Sequence, residues 1–335
     1  MGFSPINRTQ LQLFCQRTDW GLELTGFGRP FGLGFDTQGR LLVSDMDCHV
    51  LVRWDLGQQS YECHRGVSQL WGPVQQAFEG CSSVRPRQQP LGWNGPHSAA
   101  CDASGALIVT CYYSPAVVRV PSDGAATLLI GPGILRGPAS TTIDSQGRLL
   151  VAEYAKNLVM VFDASGGYLG RIGRGAGGEP LRLDPSDSAA PACALAGGFD
   201  RPHMVIAASD GCLLVADTWN NRIQKFSASG DYLCLLDDLT GWKAAPQRKF
   251  WKNVGAVQSA ISCPVALDQD ASGRILASAW GSDELFLLES DGCGAKLPVP
   301  PTLCKPYDAR FYRNGVVVAD THHGRVLIID NLFNR

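Results

Sequence analysis

Short runs of apolar residues alternate with polar turn clusters along the chain, and this pattern recurs six times. Each copy begins with Pro and a variable residue, continues as an apolar strand, reaches a Gly nine residues after the Pro, and enters a second apolar strand. The copies start at Pro30, Pro96, Pro138, Pro202, Pro264 and Pro306, and their glycines are Gly39, Gly105, Gly147, Gly211, Gly273 and Gly315. Six equal spacings indicate an internal structural repeat.

Each copy predicts a β-meander. Pro begins the innermost strand, where a missing N–H is tolerated, and turn segments such as DTQG (36–39) allow the positive φ of a tight hairpin. Second strands such as LLVSD (41–45) consist of β-formers and suit a sheet that is buried on both faces. A third strand (VLVRWD, 50–55) and a more variable fourth (GYLGRIG, 167–173) follow. Four-stranded antiparallel units repeated radially predict a β-propeller blade.

The whole chain, 1–335, is therefore predicted to form one all-β domain, a six-bladed propeller. Successive prolines lie 42 residues apart in two cases and 62 to 66 apart in three, which predicts insertions at about 58–94, 172–200 and 238–262. Only 29 residues follow Pro306, too few for a complete sixth blade. An N-terminal strand within residues 10–27 is expected to complete the last blade and close the ring.

Composition and charge narrow the classes of function. Hydrophobic residues make up 45% and charged residues 18%, as in a folded protein, and the net charge of −2 argues against a nucleic-acid partner. One segment, 240–253, interleaves basic and aromatic residues, a pattern that suits single-stranded nucleic acid, a protein partner or plain solvent exposure. The absence of a long apolar run and of a secretory leader pattern predicts a cytoplasmic protein without a membrane partner.

The twelve cysteines contain no C-x-x-C pair. In a reducing compartment they are expected to act as small buried hydrophobes, with Cys101, Cys212 and Cys234 falling inside apparent strands. If the compartment is oxidising, Cys63 and Cys81 are the pair expected to bridge, because both lie in one long insertion.

The residue after each blade's Pro is expected near one mouth of the central channel. These residues are Phe31, His97, Ala139, His203, Val265 and Tyr307. Two of the chain's six histidines thus occupy equivalent positions. Neutral imidazoles that converge in a channel can hold one divalent metal, zinc above all, or they can hydrogen-bond backbone and water. Both interpretations stay open.

A second set of residues follows the second strand of each blade and is expected to rim the same mouth: Asp47, Tyr113, Tyr154, Trp219, Trp280 and His322. Aromatic side chains there can line a ligand pocket, or they can simply cover the tops of the blades.

The sequence of the repeats resembles that of the NHL family over about residues 28–335. The resemblance is strongest in the fourth copy, RPHMVIAASDGCLLVADTWNNRIQKFSASGDYL (201–233). NHL-like propellers include the peptidyl-α-hydroxyglycine α-amidating lyases, whose catalytic zinc is held by three histidines in Pro-His segments. His97 and His203 match two of these segments, whereas Tyr307 replaces the third histidine and Asp308 stands beside it. The lyases' first-blade arginine has no match in VSDMDCHV (43–50).

Two hypotheses follow. The first is a binding module that takes a protein or a small ligand at the channel mouth, with Asp47, Trp219, Trp280 and His322 in contact with it. The second, implied by the lyase resemblance, is a metal-dependent lyase or hydrolase. Its metal ligands would be His97, His203 and Asp308, and its acid–base group would be Tyr307, Tyr113 or Tyr154.

Overall fold

A computed structural model describes residues 13–64, 95–121, 126–131, 133–175, 189–236, 261–290 and 293–334. The described residues form 25 strands in six antiparallel sheets, and the innermost strand of each sheet contacts those of its two neighbours, so the sheets close into a ring. The predicted six-bladed β-propeller is confirmed.

The strands are numbered in chain order. Two precede the first repeat: Phe14–Thr18 (β1) and Gly21–Thr25 (β2). The first blade consists of Pro30–Phe35 (β3), Leu41–Asp45 (β4), Val50–Asp55 (β5) and Ser60–His64 (β6). The second consists of Pro96–Cys101 (β7), Leu107–Cys111 (β8), Ala116–Val120 (β9) and Thr127–Ile130 (β10). The third consists of Pro138–Ile143 (β11), Leu149–Glu153 (β12), Leu158–Phe162 (β13) and Tyr168–Ile172 (β14).

The fourth blade consists of Met204–Ala207 (β15), Leu213–Asp217 (β16), Arg222–Phe226 (β17) and Tyr232–Leu235 (β18). The fifth consists of Pro264–Gln269 (β19), Ile275–Ala279 (β20), Glu284–Leu288 (β21) and Gly294–Lys296 (β22). The sixth contains Pro306–Tyr312 (β23), Gly315–Asp320 (β24) and Arg325–Ile329 (β25). Short 3-10 turns lie at Tyr154–Lys156, Thr218–Asn220, Thr321–His323 and Leu332–Asn334.

The N-terminal segment closes the ring. Strand β2 pairs with β25 in antiparallel register, with Gly21 opposite Ile329 and Thr25 opposite Arg325, and so supplies the fourth strand of the last blade. Strand β1 then pairs with β2 as a fifth strand, so this blade has one strand more than the four predicted. Hydrogen bonds between β2 and β25 thus close the last blade, and the chain then runs from β2 directly into β3 of the first blade.

The turn glycines behave alike in five blades. Gly39, Gly105, Gly147, Gly211 and Gly273 all have positive φ, between 74° and 88°. The sixth copy differs, because Arg313 takes the positive φ (53°) and Gly315 is already the first residue of β24. Gly315 is required there for a different reason, since a Cβ at this position would overlap the carbonyl oxygen of Ile329.

The core is divided among the blade interfaces. The second strand of every blade is buried along its whole length, as its apolar sequence predicts. In the described residues, six clusters of buried apolar side chains each lie between two neighbouring blades. Burial of each Leu, Val or Phe side chain contributes about 1.5–3 kcal/mol to the free energy of folding. The interfaces between the blades therefore stabilise the closed ring.

Several cysteines are less buried than predicted. Cys101 and Cys212 are partly accessible and Cys234 is exposed, because the ends and outer strands of the blades face solvent. Cys63 is exposed, and its predicted partner Cys81 lies outside the described residues, so the predicted bridge stays a prediction. Most of the three predicted insertions, and the whole of segment 240–253, also lie outside them. No helix among the described residues is long and apolar enough to span a membrane.

Candidate functional site

Four of the residues that follow the blade prolines meet at the centre of the ring. The ring of Phe31 lies 4.1 Å from that of Tyr307 and 5.0 Å from that of His97, measured between centroids. His97 and His203 lie 6.4 Å apart, and Tyr307 is 5.2 Å from the first and 5.6 Å from the second. The equivalent positions of the repeat therefore converge as the sequence predicts.

Buried carboxylates hold the segment before each of these strands in place. They stand at the end of the second strand in four blades, where the sequence reads V-S-D, V-A-E or V-A-D: Asp45, Glu153, Asp217 and Asp320. Each accepts backbone N–H groups from the chain that leads to the blade's proline, for example from Gly28 to Asp45 (2.7 Å) and from Cys304 to Asp320 (2.7 Å). The carboxylates thus serve as positioning groups for the mouth.

His97 has a defined tautomer. Its Nδ1 lies 2.5 Å from the carbonyl oxygen of Ala139, which can only accept, so Nδ1 carries the proton. Burial lowers the pKa of His97 to about 4, an effect that the bond to Ala139 opposes, and the ring is neutral near pH 7. Its unprotonated Nε2 then accepts the hydroxyl proton of Tyr307 over 3.1 Å.

His203 has the same tautomer by a different contact. The Thr218 hydroxyl donates to the carbonyl oxygen of Pro264 (2.6 Å), so it accepts from Nδ1 of His203 (3.0 Å). Burial, followed by the nearby His97, lowers the pKa of His203 to about 3. Both imidazoles are therefore neutral, anchored through Nδ1, and carry a lone pair on Nε2.

Two tyrosines extend the central rings. Tyr112 stacks on His97 with centroids 5.5 Å apart, and Tyr154 packs edge-on against His203 at 4.6 Å. Burial raises the pKa of both phenols, and raises that of Tyr307 well above its usual value, so all three are neutral donors near pH 7. We call the six rings the central cluster: Phe31, His97, Tyr112, Tyr154, His203 and Tyr307.

The sequence did not single out Tyr112. It stands directly after the second strand, as Tyr154 does in the next blade. The backbone N–H of each tyrosine donates to the carbonyl oxygen of the glycine that precedes its blade's proline. Counting from the end of the strand would have identified it. Its neighbour Tyr113, which was predicted to rim the mouth, accepts a hydrogen bond from Arg29 through its hydroxyl over 3.3 Å.

The other predicted rim residues surround the central cluster. Asp47 pairs with Arg29 through both carboxylate oxygens, at 2.6 and 2.8 Å. Trp219 and Trp280 each lie beneath a cation. His322 is exposed, and its backbone N–H donates a hydrogen bond to the carbonyl oxygen of Cys304.

Asp308 is placed differently from the predicted metal set. Its Oδ2 accepts from the backbone N–H of Leu33 (2.8 Å) and from Arg310 (3.0 Å), and burial raises its pKa to about 6. Within the described ranges, no three His, Cys, Asp or Glu side chains are grouped so that they could hold a metal ion. At the cluster, the atoms that could act as metal ligands are therefore the Nε2 atoms of His97 and His203 and the neighbouring tyrosine hydroxyls, that of Tyr307 among them.

Comparisons with known proteins bear on the fold. No protein-family model matches the chain. Over 175 residues it is 26% identical to protein brain tumor of Drosophila melanogaster, a match that spans 51% of this chain and 15% of that protein. Virginiamycin B lyase from Staphylococcus aureus is 13% identical with a TM-score of 0.57, covering 95% of this chain and 100% of that one. A chain of the nidogen/laminin complex is 14% identical with a TM-score of 0.55, covering 83% and 84%. Such low identities show a shared propeller fold.

Proposed function

We propose that the protein is an NHL-type binding module whose ligand enters the channel mouth and contacts the central cluster. The observation that carries this proposal is the convergence of six rings from five different blades, of which Tyr112, Tyr154, His203 and Tyr307 remain partly accessible to solvent. A rigid apolar surface with a few fixed polar atoms is the usual composition of a small-molecule site.

The polar atoms of the cluster define what the ligand offers. Three neutral phenols donate, and the Nε2 atom of His203 accepts, whereas no member of the cluster is charged near pH 7. A planar or apolar ligand body would pack on the rings, and a hydroxyl or amide group would replace the contact between His97 and Tyr307. The ligand is therefore expected to be a small molecule or the end of a peptide.

A fragment screen by saturation-transfer NMR tests this proposal. Aromatic fragments that carry hydroxyl or amide groups are expected to bind the unmodified protein and to lose binding in His203→Ala. The control is Tyr312→Phe, whose ring stacks on Phe35 outside the cluster. If fragments bind equally to the His203→Ala variant, or none binds at all, the channel mouth is not the ligand site.

A second candidate function is a metal-dependent lyase or hydrolase. What favours it is that both imidazoles are anchored through Nδ1, the arrangement by which a hydrogen-bonded histidine presents Nε2 to a metal. His97, His203 and Tyr307 would hold the ion, zinc being the first choice, and the ion would act as a Lewis acid.

Elemental analysis of the purified protein distinguishes the two functions. An enzyme of this kind is expected to carry about one equivalent of divalent metal, lost in His97→Ala/His203→Ala while the circular dichroism spectrum is unchanged. The matched control is His322→Ala, because His322 is an exposed histidine at the rim. If the protein takes up no metal in excess zinc, the enzyme proposal fails and the binding proposal is unaffected.

A further inference from the structure

Three cations border the central cluster, and each directly precedes a blade proline. Arg29 lies over the ring of Phe31 at 5.4 Å, Arg201 over Trp219 at 3.6 Å, and Lys305 over Trp280 at 4.9 Å, measured from the charged group to the ring centroid. Aromatic faces stabilise cations at such distances. The mouth is thus edged by three ordered positive charges.

Two of these cations are neutralised by carboxylates of the protein itself. Arg29 binds Asp47 in the two-pronged geometry that guanidinium and carboxylate prefer. The ammonium group of Lys305 lies 3.1 Å from the carboxylate of Asp283 and donates to the carbonyl oxygen of Trp280 over 3.0 Å. Neither charge is available to a ligand without breaking an existing pair.

Arg201 is different. Its Nη1 donates to the hydroxyl of Tyr154 over 3.1 Å, and its guanidinium lies between the rings of Tyr154 and Trp219. Within the part of the chain that the structure describes, no hydrogen bond or ion pair joins Arg201 to a carboxylate. The neighbouring carboxylate of Asp200 interacts with Arg201 through charge alone, and burial raises the pKa of Asp200 despite this attraction. Nε and Nη2 therefore keep the parallel N–H pair with which a guanidinium binds an oxyanion.

The backbone of Arg201 has a conformation that recurs before the prolines of other blades, with φ of 49° at Cys263 and 55° at Lys305. Arg201 has φ of 51°, a left-handed conformation that is costly for a residue with a Cβ. Its N–H donates to the side-chain oxygen of Asn157 in the preceding blade over 2.9 Å. Two rings and two hydrogen bonds thus hold beside the cluster a cation that donates to no carboxylate of the described residues.

We propose that Arg201 recognises a carboxylate on the ligand, so that the site selects small aromatic or apolar carboxylates. This inference rests on the proposed binding function and specifies its ligand class. A monoanion fits better than a phosphate dianion, because only one of the three cations is unpaired. The ring of the ligand would lie on the central cluster and its carboxylate on the guanidinium, next to Tyr154.

The test compares matched probes by isothermal titration calorimetry. 3-Phenylpropionate is expected to bind at least about tenfold more tightly than the neutral 3-phenylpropionamide, and Arg201→Gln should remove this difference. Added salt should weaken binding of the acid more than of the amide. The matched control is Arg313→Gln, since Arg313 also has positive φ (53°) and its guanidinium lies over a tyrosine ring, that of Tyr312, at 5.0 Å.

Several outcomes would overturn the inference. If the acid and the amide bind equally tightly, or if Arg201→Gln still prefers the acid, Arg201 does not recognise the carboxylate. The proposed binding function then stands, provided that His203→Ala abolishes binding of the amide. Tighter binding of phenyl phosphate than of the carboxylate would reassign the ligand class. If none of the probes binds to the folded protein, both proposals fail. Unchanged thermal unfolding of Arg201→Gln shows that the fold is intact.

Discussion

The hydroxyl of Tyr307, in the last blade, donates to Nε2 of His97, in the second blade, over 3.1 Å. This bond crosses the ring and joins blades that are not neighbours. It also depends on the bond between Nδ1 of His97 and Ala139, because a neutral imidazole with its proton on Nδ1 has its acceptor on Nε2. Three blades thus determine the protonation pattern of the central cluster.

Tyr307→Phe is expected to lower the free energy of unfolding by about 1–2 kcal/mol, because Nε2 of the buried His97 loses its donor. Urea unfolding followed by tryptophan fluorescence measures the change. Tyr312→Phe removes an equivalent hydroxyl outside the cluster and should alter stability by less than about 0.5 kcal/mol. Equal effects of the two substitutions would show that the bond across the ring contributes nothing.

Acid should destabilise the fold through the two central histidines. The pKa values of His97 and His203 in the folded state, about 4 and about 3, lie below the value of about 6.5 for an unfolded chain. Between these values the unfolded state binds more protons, so stability is complete above about pH 6.5 and is lost as the pH falls toward 4 and 3.

His97→Gln should therefore flatten the loss of stability between pH 7 and pH 4, by an amount of order 1–3 kcal/mol. Asp308 and Glu153 have the opposite effect, since burial raises their pKa values to about 6 and about 7. Because both carboxyls are present in either protein, the difference between variant and unmodified protein isolates the imidazole. The measurement is urea unfolding at each pH in the presence of EDTA, and parallel pH profiles would refute the prediction.

Closure of the ring should depend on the packing of Leu24. This residue of β2 is fully buried in the cluster that joins the last blade to the first. Leu24→Ala is expected to cost about 2–4 kcal/mol, because a cavity opens in the packing between the last blade and the first. Phe14→Ala serves as the control in β1, where Phe14 is 61% exposed, and should be nearly neutral. Differential scanning calorimetry compares the two.

The glycines at the end of the first hairpins should differ in their tolerance of a methyl group. Gly39 has open space around it and a φ of 74°, so Gly39→Ala should cost about 1 kcal/mol through backbone strain alone. Gly315→Ala should cost about 3 kcal/mol, because its Cβ would meet the carbonyl oxygen of Ile329. Urea unfolding would contradict this account if the two variants were equally stable.

The blades, the ring and the convergence of His97, His203 and Tyr307 were predictable from the repeat pattern. Strand pattern and turn chemistry are local properties that act identically in each copy, and equivalent positions in a ring of repeats must meet at its axis. That an N-terminal strand completes the last blade was also predictable from the sequence, because too few residues remain after Pro306 to form a whole blade.

Which of two neighbouring side chains enters the cluster, and which cations bind a carboxylate, could be read from the folded structure alone. Tyr112 rather than Tyr113 stacks on His97, since a shift of one residue after a strand reverses the direction of a side chain. The carboxylate of Asp308 accepts from the N–H of Leu33, whereas the adjacent Tyr307 enters the cluster, because successive residues of a strand point to opposite faces. Whether Arg29, Lys305 or Arg201 finds a carboxylate depends on contacts between loops, which no spacing along the chain encodes.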